Sequence, residues 1–314
     1  METLAADPIW DVFENTSTLE EFKSKVIPKV FIHPNASKNI LKPVQVIKKL
    51  LVQSFFEYSF TDVAMQYSIF TLEKAMRERY EETTNTSSKR HSFKFLIDYF
   101  FDNGYFEVFN KEVLTQLRNI RNGNVHEVEH SQAGIIAFNK VSTTIDLIND
   151  LYLNPKYRKE RQDYLIQLSK RLDQSQNDGY ILRKGDEKFI IFKVLPIFLD
   201  NIQDLNLLHL ICVPIFKLLE SNTRMPALFN MFLTNFSLDN NNTLIGTDEY
   251  LNEIILNPMN VEPKEENKIK YKIWKTDFEK LKENKTLLFS LNSSFNTAFT
   301  HSRRELLLKE CTLI

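Results

Sequence analysis

Glycine is scarce in this sequence, with 6 in 314 residues. Few glycines leave few positions for tight left-handed turns, which favours long helices over a sandwich or barrel of short strands. Cysteine is scarcer still. Cys212 and Cys311 are the whole complement and lie far apart, which excludes a disulfide framework and a cysteine-rich zinc module and points to a reducing compartment. There is no excess of charge of either sign: the formal net charge is -1, and neither half of the chain is strongly polarised. A protein basic over its whole surface is therefore excluded, and any RNA contact has to come from a local patch or from a surface assembled by oligomerisation. Long apolar runs are missing too. The longest stretch free of Asp, Glu, Lys and Arg, Thr286–Ser302, is too short and too rich in Ser, Thr and Asn to span a bilayer. The start, Met1 to Pro8, is acidic and has no basic and apolar regions of a signal peptide. A soluble cytoplasmic protein without membrane contact is expected. The sequence also has no glycine-rich phosphate loop and no nucleophile elbow, and no cofactor is implied.

What is present is a normal apolar share, 43%, and an aromatic share carried by 25 Phe and 11 Tyr. Residues 1–42 read as an N-terminal arm, in which Ser17 or Thr18 caps a short helix with Glu20 or Glu21 completing a capping box. Pro28, Pro34 and Pro43 break regular structure before the next long segment. From Val44 to Leu151 the apolar spacing is helical. One helix carries Val46, Ile47, Leu50, Leu51 and Phe55, and a second starts after Thr61-Asp62. A polar loop spans 81–90, and a third helix from His91 ends at Asn103-Gly104. A fourth runs from Asn110 to Ile120, and a last one lies beyond Gly123. Such helices with short loops form a bundle over 43–152. Asn154-Pro155 marks the boundary to an accessory or regulatory domain over 153–314. That region opens with a basic helix from Lys156, able to track an RNA backbone or to be a solvated face. Strands at Tyr180–Arg183 and Phe189–Phe192 flank a turn at Lys184-Gly185-Asp186-Glu187. Helices are expected over Leu205–Leu219 and Pro226–Phe236, a loop over Asp239–Thr243, strands over Ile269–Trp274 and Leu287–Leu291, and a capping box at Thr276-Asp277-Phe278-Glu279. The fold class expected is mainly α: an N-terminal helical bundle plus a C-terminal mixed α/β accessory domain.

One segment carries chemistry: Leu117-Arg118-Asn119-Ile120-Arg121-Asn122-Gly123-Asn124-Val125-His126-Glu127. Arg121 and His126 are separated by four residues, with Asn122 directly after the arginine, at the junction of two expected helices. A long helix and an aromatic-rich helix precede them. In these features residues 44–151 resemble HEPN domains, helical bundles whose signature is an arginine, often followed by a polar residue, and a histidine four to six residues on. The resemblance implies a HEPN-like bundle, a homodimer with a composite cleft on its axis, and metal-independent endoribonuclease activity. It also implies a setting in toxin–antitoxin pairs, abortive infection or other antiviral defence, with an antitoxin or a sensor as partner.

The residue types suit that chemistry. An imidazole takes and gives a proton near neutrality, so His126 can draw the proton from a ribose 2′-hydroxyl that attacks the adjacent phosphate. The guanidinium of Arg121 can hold two oxygens of the charged transition state. Asn122 can position the phosphate or fix the tautomer of His126. One histidine does not readily serve as both base and acid at one bond, and a symmetric dimer supplies the second. DNA lacks the 2′-hydroxyl, so the substrate is RNA.

Two other readings stand beside this one. Arg121 can instead pair with an acid or cap a helix end, leaving a non-catalytic dimerisation or binding protein. The overlapping pattern His126-Glu127-Val128-Glu129-His130 matches the His-Glu-x-x-His helix of zinc peptidases. Against the peptidase stand the second charge at Glu129, the polar run before His126, and the lack of an evident third ligand.

Overall fold

The computed structural model describes residues 5–14, 16–106, 110–125, 134–174, 178–200, 207–215, 228–261, 264–282 and 311–314, together with 293, 297, 300 and 304. The chain divides into two units, Met1–Arg158 with Leu306–Ile314, and Lys159–Glu305.

The first unit contains α1 (Ile9–Glu14), α2 (Leu19–Lys25), β1 (Phe31–Ile32), α3 (Lys38–Gln53), α4 (Phe60–Thr84), α5 (Phe93–Asp102), α6 (Asn110–Val125) and α7 (Gly134–Asp150). Local chemistry sets most of these ends. Thr18 caps α2 by accepting from the Glu21 amide, and the Glu21 carboxylate reaches back to the Ser17 amide at 3.3 Å. Asn85 closes α4 in the left-handed region that asparagine tolerates, φ 53°. Ser92 caps α5, and Asn103-Gly104 ends it with Gly104 at φ 75°. The long α4 packs against α3, α5, α6 and α7, so its buried residues, among them Ile69, Leu72 and Met76, lie on more than one face. The stretch read as an arm packs into this same core. Trp10 is buried beside Phe22 and Phe138, and its indole N–H donates to the Ser54 carbonyl at 2.8 Å.

Pro43 does not break the chain, because α3 runs straight through it. A helical proline leaves the carbonyl four residues earlier without its donor. Here that carbonyl, on Asn39, accepts from the Lys74 ammonium of α4 at 2.9 Å. The missing hydrogen bond is supplied from a neighbouring helix.

The second unit corrects the expected fold class. In place of a mixed α/β domain it holds a closed antiparallel barrel of six strands, so the chain as a whole is not mainly α. Its elements are α8 (Pro155–Gln174) from Lys159 onward, β2 (Tyr180–Lys184), β3 (Glu187–Asp200), β4 (Leu207–Pro214), β5 (Phe229–Leu238), β6 (Leu244–Thr247), β7 (Glu253–Pro258) and α9 (Glu265–Lys282). The strands pair in sequence order, and β2 closes the ring by pairing with β7 as well as β3. Register shifts in β3 and β5 supply the bends closure needs, and Pro196 sits at one of them. Alternate residues Leu208, Leu210 and Cys212 of β4 pack with Met231 and Leu233 of β5. The opposite set, Phe192 and Val213, meets Tyr271 and Trp274 of α9. Last in the chain, β8 (Thr312–Leu313) pairs with β1 in the first unit.

The turn at Gly185-Asp186 forms as expected, with Gly185 at φ 55°. Asp239–Thr243 is likewise a loop, tied by the Asp239 carboxylate to the amides of Asn241 and Thr243. The helices expected over Leu205–Leu219 and Pro226–Phe236 are instead β4 and β5. Both faces of β4 are covered, so Leu208 to Val213 is one continuous buried run, which periodicity cannot tell from a buried helix. The strand expected at Ile269–Trp274 is part of α9. Ile269, Tyr271 and Ile273 alternate with polar residues, yet only Tyr271 and Trp274, three apart, are buried. The Thr276 capping position lies inside α9, where its hydroxyl donates to the Lys272 carbonyl. The strand at Leu287–Leu291 lies outside the described residues. Among the described residues, no helix is long and apolar enough to cross a membrane.

Candidate functional site

Leu114 and Leu117 place one face of α6 in the core, and Arg121, four residues past Leu117, continues that inward face. A guanidinium on that face needs a carboxylate, and α4 provides one. Glu73 follows Ile69 by four residues and precedes Met76 by three, on a buried stripe of its helix. Its side chain is 10% exposed, and Oε2 lies 3.3 Å from the Nε of Arg121. The contact is an ion pair and not an aligned hydrogen bond, since Nε finds no hydrogen-bond partner.

The other oxygen of Glu73 accepts from Arg77 Nη2 at 2.7 Å, and Arg77 Nη1 donates to the Ser88 carbonyl at 2.8 Å. One buried carboxylate thus sits between two guanidiniums, and the cluster of three keeps a net positive charge. Arg77 is committed to protein partners on both sides. Arg121 is less committed: its side chain is one-third exposed, and its remaining bond is from Nη1 to the Asn122 side-chain oxygen at 3.2 Å. Its Nη2 bonds to none of the described residues. What the arrangement can do is hold an anion against a guanidinium braced from behind. Asn122, the acceptor of that bond, is exposed.

The sequence placed Arg121 and Asn122 at the junction of two helices, the second beginning past Gly123. They stand instead in the last turns of α6, which continues through Gly123 to Val125. His126 and the whole His126-Glu127-x-x-His130 pattern lie outside the described residues. Among the described residues, no group of three His, Cys, Asp or Glu is arranged to hold a metal ion. Glu73 and Arg77 escaped the sequence reading. Their signal was a carboxylate and a cation four apart inside an otherwise apolar helix stripe.

The basic helix from Lys156 is partly spent on structure. Arg158 is 3% exposed and pairs with Asp150 at 3.1 Å, while Arg171 donates to the Asp239 carbonyl and the Asn242 side chain. These two arginines are not free for a phosphate backbone.

No protein-family model, curated protein or solved structure matches this chain.

Proposed function

We propose that the protein is a metal-independent endoribonuclease of the HEPN type, acting as a homodimer in the cytoplasm. The observation that carries the proposal is Arg121: a cation at the end of α6, braced by buried Glu73, with Nη2 unclaimed by the described residues. In this reading Arg121 holds the scissile phosphate and Asn122 sets the arginine's orientation. His126 takes the proton from the 2′-hydroxyl, whose oxygen bonds to phosphorus while the bond to the 5′-oxygen breaks. The partner's His126 gives a proton to that leaving oxygen, and the products are a 2′,3′-cyclic phosphate and a 5′-hydroxyl.

An apolar stripe supports the dimer. Val63, Tyr67 and Phe70 are exposed on one face of α4 and lead along that helix toward Glu73 and Arg77. A toxin or antiviral effector is the setting proposed, with the barrel unit as the sensing or partner-binding part that restrains the nuclease.

Total RNA incubated with wild type, Arg121→Ala and His126→Ala, followed by mapping of new ends, tests this. Cyclic-phosphate ends from wild type, chelator-resistant and reduced at least about 100-fold in His126→Ala, are expected. Equal cleavage by folded, dimeric His126→Ala refutes the assignment. The second reading is a non-catalytic dimerisation protein, favoured by the fact that Arg121 already has an ionic partner in Glu73.

A further inference from the structure

Next to this cluster the surface carries an ordered set of aromatic rings. His91, Phe95 and Tyr99 recur every four residues along the lead-in and body of α5. The His91 and Phe95 rings stack at 4.0 Å and 13°, and Phe95 and Tyr99 lie near parallel at 6.5 Å and 20°. Beneath them Tyr80 of α4 meets all three edge-on, at 5.0, 5.8 and 4.8 Å. Tyr80 is buried, whereas Phe95 remains 39% exposed. Phe95 is held at the surface in a stack with its two neighbours.

The ladder is joined to the Arg121 cluster. The Ser88 carbonyl accepts both from Arg77 Nη1, the partner of Glu73, and from the backbone N–H of His91 at 2.9 Å. The loop is pinned a second time, because Glu81 accepts from the Ser88 amide and hydroxyl, each at 2.8 Å. Around the rings Lys89, Arg90 and Lys94 are exposed and form no ion pair among the described residues. Asp98, half-buried, is the carboxylate of α5 between Phe95 and Tyr99, and Glu81 is engaged by Ser88.

We propose that the His91–Phe95–Tyr99 ladder with Lys89, Arg90 and Lys94 is a binding subsite for unpaired bases of single-stranded RNA, placed beside the Arg121 phosphate site. This deepens the ribonuclease reading and rests on it for the identity of the strand. The partly exposed ladder, with Phe95 the most open of its three rings, offers aromatic surface on which a base stacks, and the cations match the phosphates between bases. A duplex has both faces of each base covered, so the subsite selects unpaired stretches.

The test is fluorescence anisotropy with full-length His126→Ala protein, a labelled 12-nucleotide single strand and a hairpin duplex of the same length. Phe95→Leu keeps the apolar volume and removes the π-face. It is expected to weaken single-strand binding about 5- to 100-fold, with an unchanged salt slope and little effect on the duplex. Lys89→Ala with Arg90→Ala is expected to lower the single-strand salt slope by up to about 1.4. His91→Ala, at a half-buried position outside the core, is expected to give a similar loss. Equal wild-type affinity for single strand and duplex, or unchanged binding in both ring variants, overturns the proposal. So does a dimer that dissociates on Phe95→Leu at constant RNA affinity, which would make the ladder a contact between copies. Cleavage by wild type with no ring dependence removes the subsite and leaves the ribonuclease. Ring-dependent binding without cleavage leaves the subsite and removes the ribonuclease.

Discussion

Glu73→Gln is the most informative perturbation of this protein, because one carboxylate holds two arginines. The Glu73 side chain is 10% exposed, against 30% for Arg77 and 33% for Arg121. Removing one member of a fully buried ion pair costs about 3–5 kcal/mol. The guanidiniums here reach water over about a third of their surface, so screening reduces that figure, and a loss of about 1–3 kcal/mol is expected. Glutamine keeps the shape and one acceptor but turns N–H groups toward a donor. For a unit of this size the loss corresponds to a fall in melting temperature of about 3–10 °C. Arg121→Met should cost less, since it leaves Glu73 paired with Arg77. A double-variant cycle of the two, followed by urea denaturation, is expected to give a coupling of about 0.5–3 kcal/mol. If RNA is cleaved at Arg121, Glu73→Gln also lowers the rate about 10- to 100-fold through misplacement of the guanidinium. A Glu73→Gln protein that melts with wild type, and shows no coupling to Arg121, refutes the view that this carboxylate braces the site.

Three further outcomes are expected. Pro43→Ala restores a donor to the Asn39 carbonyl inside α3 and should stabilise the helical unit by about 1–3 kcal/mol in chemical denaturation. Gly179→Ala should destabilise the barrel unit by at least about 2 kcal/mol, read as a lowered urea midpoint. Gly179 has φ +77°, and an added Cβ would lie 2.8 Å from the Ile191 carbonyl oxygen and from the Tyr271 ring. Asp248 gives a pH dependence. Desolvation opposes its ionisation, but bonds from Asn252, Lys184 and the Tyr250 amide outweigh it and hold the carboxyl at about 2. A folded pKa below the unfolded value stabilises above the ordinary aspartate range near 4, and that share is lost as pH falls toward the folded value. The stability difference between wild type and Asp248→Asn should therefore shrink between about pH 5 and 2, and a difference constant over that range refutes the assignment.

Local signals of the sequence were decisive wherever a few neighbouring residues settle the matter. Thr18 with Glu21, Asn103-Gly104 and Gly185-Asp186 mark their elements because caps and tight turns are bonds between near neighbours. The spacing of Leu114 and Leu117 made α6 readable as a helix, but not its continuation past Ile120, which puts Arg121 inside it. Tertiary structure alone decided the rest. Pro43 sits inside a helix because Lys74, far along the chain, satisfies the carbonyl it strands. The run Leu208–Val213 is a strand because a closed barrel covers both of its faces. Glu73 matters because the packing of α4 on α6 brings it to Arg121. Periodicity reports which faces are buried, but the identity of the group waiting across the interface is a property of the fold.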